Sequence, residues 1–225
     1  MPSMYEIYDK HSIQYDELVN HEDYQKNLDA FLNDAFIGID TVIELGTGTG
    51  RLTKLYANKV QRIICTERAQ HMINKAKINL AEFKDKIDFV NIDTRNISQL
   101  KTKADCIIEG WAVGHTAIDE YHRLDEFLSK LFKDFKTLLN SNGKIILIET
   151  MGTNVDEPKI PTKELEDLYN ELETTYAMKK QIIQTDYKFV NTEEAKRICG
   201  FFFGHSTAAN INSNIVNEYT GIWTS

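Results

Sequence analysis

Apolar positions along this chain repeat with two different periods. Short runs rich in branched residues occur at Thr41–Leu45, Val60–Thr66, Ile87–Asn91, Asp105–Ile108 and Lys144–Glu149. Between them, apolar residues return every three or four positions, the spacing of a helix with one buried face. Helices are predicted near Tyr24–Phe36, over Arg51–Ala57 and over Met72–Phe83. The clearest is predicted over Leu124–Leu139, where Leu124, Phe127, Leu128, Leu131, Phe132, Phe135 and Leu138 share a face and Asn142-Gly143 supplies a stop. Tyr5, Tyr8 and Tyr15 are spaced too loosely to specify an element. After the fifth run, Pro158 and Pro161 mark a loop, and Thr162 is placed to cap a helix carrying Leu165, Leu168, Tyr169, Leu172 and Tyr176. Gln181–Val190 reads as a strand. Thr192 is placed to cap a helix through Ile198 and Phe201–Phe203, and Asn214–Thr224 reads as a terminal strand.

Strands alternating with helices at this spacing predict an α/β chain: a mostly parallel seven-stranded sheet with helices on both faces. The whole is expected to form one domain. Residues 1–40 would be an N-terminal helical cap, 41–152 the core, and 153–225 a helical insertion after strand five followed by the C-terminal strands. In sheets of this kind ligands bind beyond the carboxyl ends of the strands. Glu44–Gly50, Glu67, Asp93-Thr94 and Glu109–Trp111 all stand at such ends and are expected to converge.

Composition narrows the function classes. The net charge of −8 makes a broad nucleic-acid-binding face unlikely. No apolar run approaches the roughly 18 residues of a membrane span, and the polar Met1–Lys10 segment is unlike a signal peptide. Cys65, Cys106 and Cys199 are scattered, which fits a reducing cytoplasm and offers neither a disulfide framework nor a metal site. Nothing in the sequence distinguishes a monomer from a homodimer.

The chemistry centres on Glu44-Leu45-Gly46-Thr47-Gly48-Thr49-Gly50, a strand end running into a glycine turn. A dinucleotide loop would need a glycine where Arg51 stands, and a phosphate loop would need a Gly-Lys-Ser/Thr ending that is absent. The segment resembles motif I of the class I S-adenosylmethionine-dependent methyltransferases, which have a Rossmann-like sheet. Glu67 ends the second strand about 20 residues on, as that family's ribose-binding acid does. Ile92-Asp93-Thr94 resembles its adenine-amino motif, and Ala104–Trp111 its fourth-strand motif beside the methyl group.

The resemblance implies S-adenosylmethionine as cofactor and S-adenosylhomocysteine as product. Glu44 and Gly46 are expected at the methionine ammonium, with Thr47, Gly48 and Gly50 in the same turn. Glu67 is expected to accept from both ribose hydroxyls, with Arg68 beside it. Met72 is expected on an adenine face, and Asp93 and Thr94 at its amino group. Tyr15 is expected to close over the methionine end, while Glu109 and Gly110 line the far side. Trp111 and His115 directly follow the fourth strand and are the substrate-side candidates. His115 could act as a general base for an oxygen or nitrogen acceptor. His122 lies further from the strand end, while His11, His21, His71 and His205 belong to no constellation. The function implied is methyl transfer to a nitrogen, oxygen or sulfur of a small molecule. The alternatives are a protein or RNA methyltransferase and a non-catalytic cofactor-binding relative.

Overall fold

The structure is a computed structural model and describes residues 4–225. The first three residues of the expected 1–40 cap lie outside the described residues. Three helices precede the sheet: α1 (Met4–Lys10), α2 (Ser12–Val19) and α3 (Asn27–Ala35). The core then runs β1 (Thr41–Leu45), α4 (Arg51–Tyr56), β2 (Arg62–Glu67), α5 (Gln70–Asn79), β3 (Ile87–Asn91), β4 (Ala104–Gly110), α6 (Val113–Asp119), α7 (Leu124–Leu138) and β5 (Leu139–Thr153). The C-terminal part adds α8 (Lys163–Thr174), β6 (Lys179–Gln184), β7 (Tyr187–Lys188), α9 (Thr192–Phe203), α10 (His205–Asn210), β8 (Ile215–Val216) and β9 (Glu218–Thr224).

Seven strands form one sheet in the order β3-β2-β1-β4-β5-β9-β6. β9 runs antiparallel to both neighbours, and the β1–β5 ladders are parallel. Period-2 alternation sends successive side chains to opposite layers. Ile43 and Leu45 face the layer of α6, α7 and α8, whereas Val42 faces that of α3, α4 and α5. On α7, Phe127, Leu128, Leu131, Phe135 and Leu138 are all buried against the sheet. Such a side chain is worth roughly 1.5–3 kcal/mol on full burial, so this stripe supplies much of one layer's cohesion. A third apolar cluster joins Ile7 of α1 and Leu18 of α2 to Ile198, Cys199 and Phe202 of α9, docking the N-terminal helices on the C-terminal part.

Apart from shifts of a few residues at element ends, four boundaries differ from the sequence expectation. The long helix ends at Leu138, and Leu139 already pairs with Ala104 in β5. Asn140–Gly143 then loop out before Lys144 pairs with Cys106, so Asn142-Gly143 shapes a bulge within the strand rather than a helix stop. Gln181–Val190 is broken into β6 and β7 at Thr185-Asp186, because Asp186 Oδ1 accepts the Glu218 N–H at 2.9 Å and pulls the chain out of register. The terminal run is broken at Asn217, whose side chain donates to the Val155 carbonyl. The cap of α9 is Asn191, accepting from the Glu194 N–H at 2.9 Å, and Thr192 is the first helical residue. Thr162 does cap α8.

Candidate active site

The strand ends meet at a cavity of about 80 Å³. Of the residues expected there, Tyr15, Gly46, Gly48, Glu67, Arg68, Asp93, Thr94, Gly110, Trp111 and His115 line it. Gly46 and Gly48 have φ of +63° and +58°, a region that favours glycine. A Cβ on Gly46 would stand 2.4 Å from the Ala112 Cβ, so β1 and the loop after β4 can approach this closely only without a side chain. Glu67 is held by two backbone donors, Gly48 N–H at 3.1 Å and Ala69 N–H at 2.8 Å. Burial pushes its carboxyl above the usual range against those hydrogen bonds. Asp93 is bound by Arg95 through Nε at 2.8 Å and a terminal nitrogen at 2.7 Å, which holds its carboxyl below the usual range. Arg95 also reaches Glu120 at 3.0 Å, tying the turn after β3 to the start of the α7 segment.

Five expected contacts fall elsewhere. Glu44 shares the parity of Val42, so it points into the α4 layer. There its Oε2 accepts from the Thr53 hydroxyl at 2.8 Å and from the Tyr56 hydroxyl. Burial raises that carboxyl to about 7. Glu44 is a strut between β1 and α4 and does not reach the cavity. Thr47 lies buried behind the turn, its N–H bonded to the Thr66 carbonyl. Gly50 precedes α4 with φ +91°, and a Cβ there would meet Leu80 at 2.6 Å; its role is packing. Met72 is fully buried and does not line the cavity.

Glu109, also fully buried, accepts from the backbone N–H groups of Ala112, Val113 and Ile148 at 2.9, 3.1 and 3.1 Å. It acts as an anchor for the loop that follows β4. Glu149 of β5 joins it, accepting from the Gly114 N–H, and the two carboxyls hydrogen-bond one another. Such a bond requires a shared proton. Burial raises both groups, Glu109 to about 7 and Glu149 well above its ordinary value. The loop they grip contains Trp111 in a left-handed conformation, φ +57°, a strained state for a bulky residue.

The roof is aromatic and comes from helices the sequence left unspecified. The Tyr5 ring lies 4.2 Å from the Arg68 guanidinium, and its hydroxyl bonds to Asp119. Tyr8 packs edge-on to both Tyr15 and His115, and its hydroxyl is 3.0 Å from His115 Nε2. Burial lowers the His115 pKa from its ordinary value, favouring the neutral imidazole. Tyr15 approaches Gly48, and burial raises its hydroxyl to about 12, so it is a neutral donor. Ile92 and Arg95, which flank the Asp93-Thr94 turn, also line the cavity, and Tyr5, Tyr8, Ala112, Thr116 and Asp119 are lining residues that sequence reasoning missed. Tyr5 and Tyr8 are three apart, a single helical step, which was the only signal available for them. Among the described residues no group of three or more His, Cys, Asp or Glu side chains could hold a metal ion. No described helix is long and apolar enough to cross a membrane.

Residues 42–143 match the family profile described as a methyltransferase domain, a span running from β1 into β5 and including the strand ends that form the cavity floor. Over this span the chain carries a methyltransferase domain. Its cofactor is therefore S-adenosylmethionine, with S-adenosylhomocysteine as product. No curated protein matches the chain in sequence. Solved structures of similar fold include an S-adenosylmethionine-dependent methyltransferase from Clostridium acetobutylicum, with 15% identity, TM-score 0.52 and coverage of 95% of this chain and 98% of that one. A precorrin-6y C5,15-methyltransferase from Geobacter metallireducens has 14% identity and TM-score 0.52, covering 86% of each chain. DhpI, solved as a complex with S-adenosylhomocysteine, has 12% identity and TM-score 0.54, covering 96% of this chain and 92% of its own. At these identities the likeness is one of fold, and the methyl acceptor is not read from it.

Proposed function

We propose that this methyltransferase acts on a small molecule, with the cavity at the strand ends as its cofactor site. The observation that carries the reading is the cavity's donor and acceptor set. Two bare glycine backbones, the Glu67 carboxylate and the Asp93-Thr94 turn line one continuous space. Those residues fit the cofactor. Gly46 and Gly48 would accommodate the methionine part, Glu67 would accept from the ribose hydroxyls, and Asp93 and Thr94 would face the adenine. Arg68 would flank the ribose, and Gly110 would leave room on the far side.

When bound, S-adenosylmethionine supplies a methyl group already activated by a positively charged sulfur, which departs as a neutral thioether. The protein's task is then alignment and exclusion of water. Tyr5, Tyr8 and Tyr15 supply the exclusion by roofing the site. The cavity they leave is well below the roughly 300 Å³ of ordinary ligand pockets, so α1 and α2 must give way when the site fills. Trp111 and His115 stand on the substrate side. The neutral His115 imidazole, bonded to the Tyr8 hydroxyl, can take up the proton that an oxygen or nitrogen acceptor releases. The enclosed roof and the acidic balance of the chain support a small acceptor over a polymer. Calorimetry with S-adenosylhomocysteine tests the cofactor site, and saturable binding is expected. Transfer of labelled methyl from the cofactor in fractionated extract tests the acceptor. Label found in protein or RNA rather than in small metabolites would overturn the small-molecule reading.

A further inference from the structure

The glycine turn ends at Arg51, where a dinucleotide loop would carry glycine, and the chemistry above does not use that residue. Its side chain is not among those that line the cavity. It reaches Trp111, which does line it. The Arg51 guanidinium stacks over the Trp111 ring, 4.2 Å from the ring centre, and one of its terminal nitrogens stands 2.8 Å from Glu22 Oε2. Both side chains of this ion pair are enclosed, at 14% and 3% exposure. Glu22, just after α2, is held in turn by the Thr185 and Tyr187 hydroxyls, at the break between β6 and β7.

The backbone of Trp111 is already fixed from several sides. Its N–H donates to the Ile148 carbonyl at 2.7 Å, and Glu109 takes the N–H groups of the next two residues. A Cβ on Gly110 would stand 3.0 Å from Leu52, so α4 presses directly on the loop. These contacts leave the ring free to choose among rotamers. Among the described residues the ring has apolar neighbours on one margin and no hydrogen bond, so the Arg51 stack is its directional contact. A flat guanidinium over an indole face attracts by charge and also fixes the plane; the ammonium of a lysine would bring the charge without the plane. The same guanidinium acts on Glu44 of β1 and Glu218 of β9, so its place is set by several elements at once.

We propose that Arg51, anchored by Glu22, is a positioning residue for methyl transfer: it fixes the plane of the Trp111 ring on the acceptor side of the cavity. The proposal rests on the reading above that puts Trp111 on that side. Arg51 acts through Trp111 and touches neither cofactor nor acceptor. With one ring orientation held in advance, the acceptor meets a formed wall, and less of its binding energy goes into ordering the site.

The test places fluorotryptophan in the full chain, whose two tryptophans are Trp111 and Trp223. Fluorine NMR then gives two resonances, assigned with Trp111→Phe. Arg51→Lys keeps the charge that Glu22 faces and removes the flat stack. It is expected to shift or broaden the Trp111 resonance, to leave that of Trp223 in place, and to keep S-adenosylhomocysteine affinity within about twofold. With the small-molecule fraction of cell extract as acceptor probe, the amount giving half-maximal methyl transfer is expected to rise about tenfold, with a smaller change in maximal rate. An unmoved Trp111 resonance, or an unmoved half-saturation, would overturn the proposal. If Arg51→Lys does not fold, the unaltered chain decides: proton cross-peaks between the Arg51 guanidinium and the Trp111 indole are expected, and their absence would overturn the proposal. A Trp111 resonance that moves while Trp111→Ala leaves transfer unaltered would instead overturn the acceptor-side reading of Trp111. Failure of S-adenosylhomocysteine to bind the unaltered chain would overturn the cofactor-site reading beneath both.

Discussion

The Glu109–Glu149 pair makes a stability prediction whose sign and size follow from the structure. Both carboxyls are buried, and no cation stands beside them. Their partners are backbone N–H groups and each other. The titratable groups facing them from other elements are Tyr8 of α1 and Tyr169 of α8, both neutral phenols. The folded pair therefore keeps a proton that an unfolded glutamate releases near pH 4.5. Above that pH the native state binds more protons than the unfolded chain, so the pair's contribution to stability falls as pH rises. Each pH unit in that window costs roughly 1.4 kcal/mol for one proton. With Glu109 raised to about 7, the window extends to neutrality. Two units within it cost roughly 3 kcal/mol, a large share of the 5–15 kcal/mol of a typical domain. Glu149→Gln replaces the protonated acid with a neutral amide that can still donate to Glu109 and accept from Gly114. Urea unfolding at pH 5, 6 and 7 should therefore show the variant gaining on the parent protein by about 1.4 kcal/mol per unit. Parallel pH dependences for the two proteins would refute the shared proton.

Other substitutions test the remaining parts of the site. Glu67→Ala should weaken S-adenosylhomocysteine by about 10- to 100-fold in calorimetry, the worth of hydrogen bonds to a charged group. Unchanged affinity would remove Glu67 from the ribose. Gly46→Ala forces a side chain against Ala112 at a positive φ. It should cost about 1–3 kcal/mol in urea unfolding and abolish cofactor binding. His115 should titrate below its ordinary 6.5 in an NMR pH series, because burial disfavours the charged ring, and a midpoint at or above 6.5 would show an open roof. Asn191→Ala should cost about 1 kcal/mol through loss of the α9 cap, whereas Thr192→Ala should cost little.

The sequence was most legible where one local rule governed the outcome and least legible where two elements met. β1 has the boundaries that periodicity predicts, because an apolar run buried on both faces leaves little freedom, and β3, at the sheet edge, keeps its predicted boundaries as well. The glycines of the turn were readable for the same reason: Gly46 and Gly48 stand where positive φ and close approach exclude other residues. Glu44 is the instructive miss. Its place beside the glycines suggested a ligand contact, yet strand parity already put it on the Val42 face, towards α4. Tyr56, its partner there, is 12 residues away and has no mark in the sequence as a hydrogen-bond donor. Glu109 shows the converse. Only the pairing of β4 with β5 brings Glu149 beside it, and that contact spans 40 positions of chain. Apart from Tyr15, the roof was illegible because α1 and α2 are short and have little apolar periodicity of their own. They are held by tertiary packing against α9 and by Tyr8, Tyr15 and His115, which meet only once the chain has folded. Local pattern thus set out the floor of the cavity, where the glycine turn and the strand ends meet. The proposed acceptor side draws on Tyr5, Tyr8, Tyr15, Trp111 and His115, which no local pattern connects. The identity of the acceptor is therefore a question for the tyrosine roof and the loop after β4, not for the glycine turn.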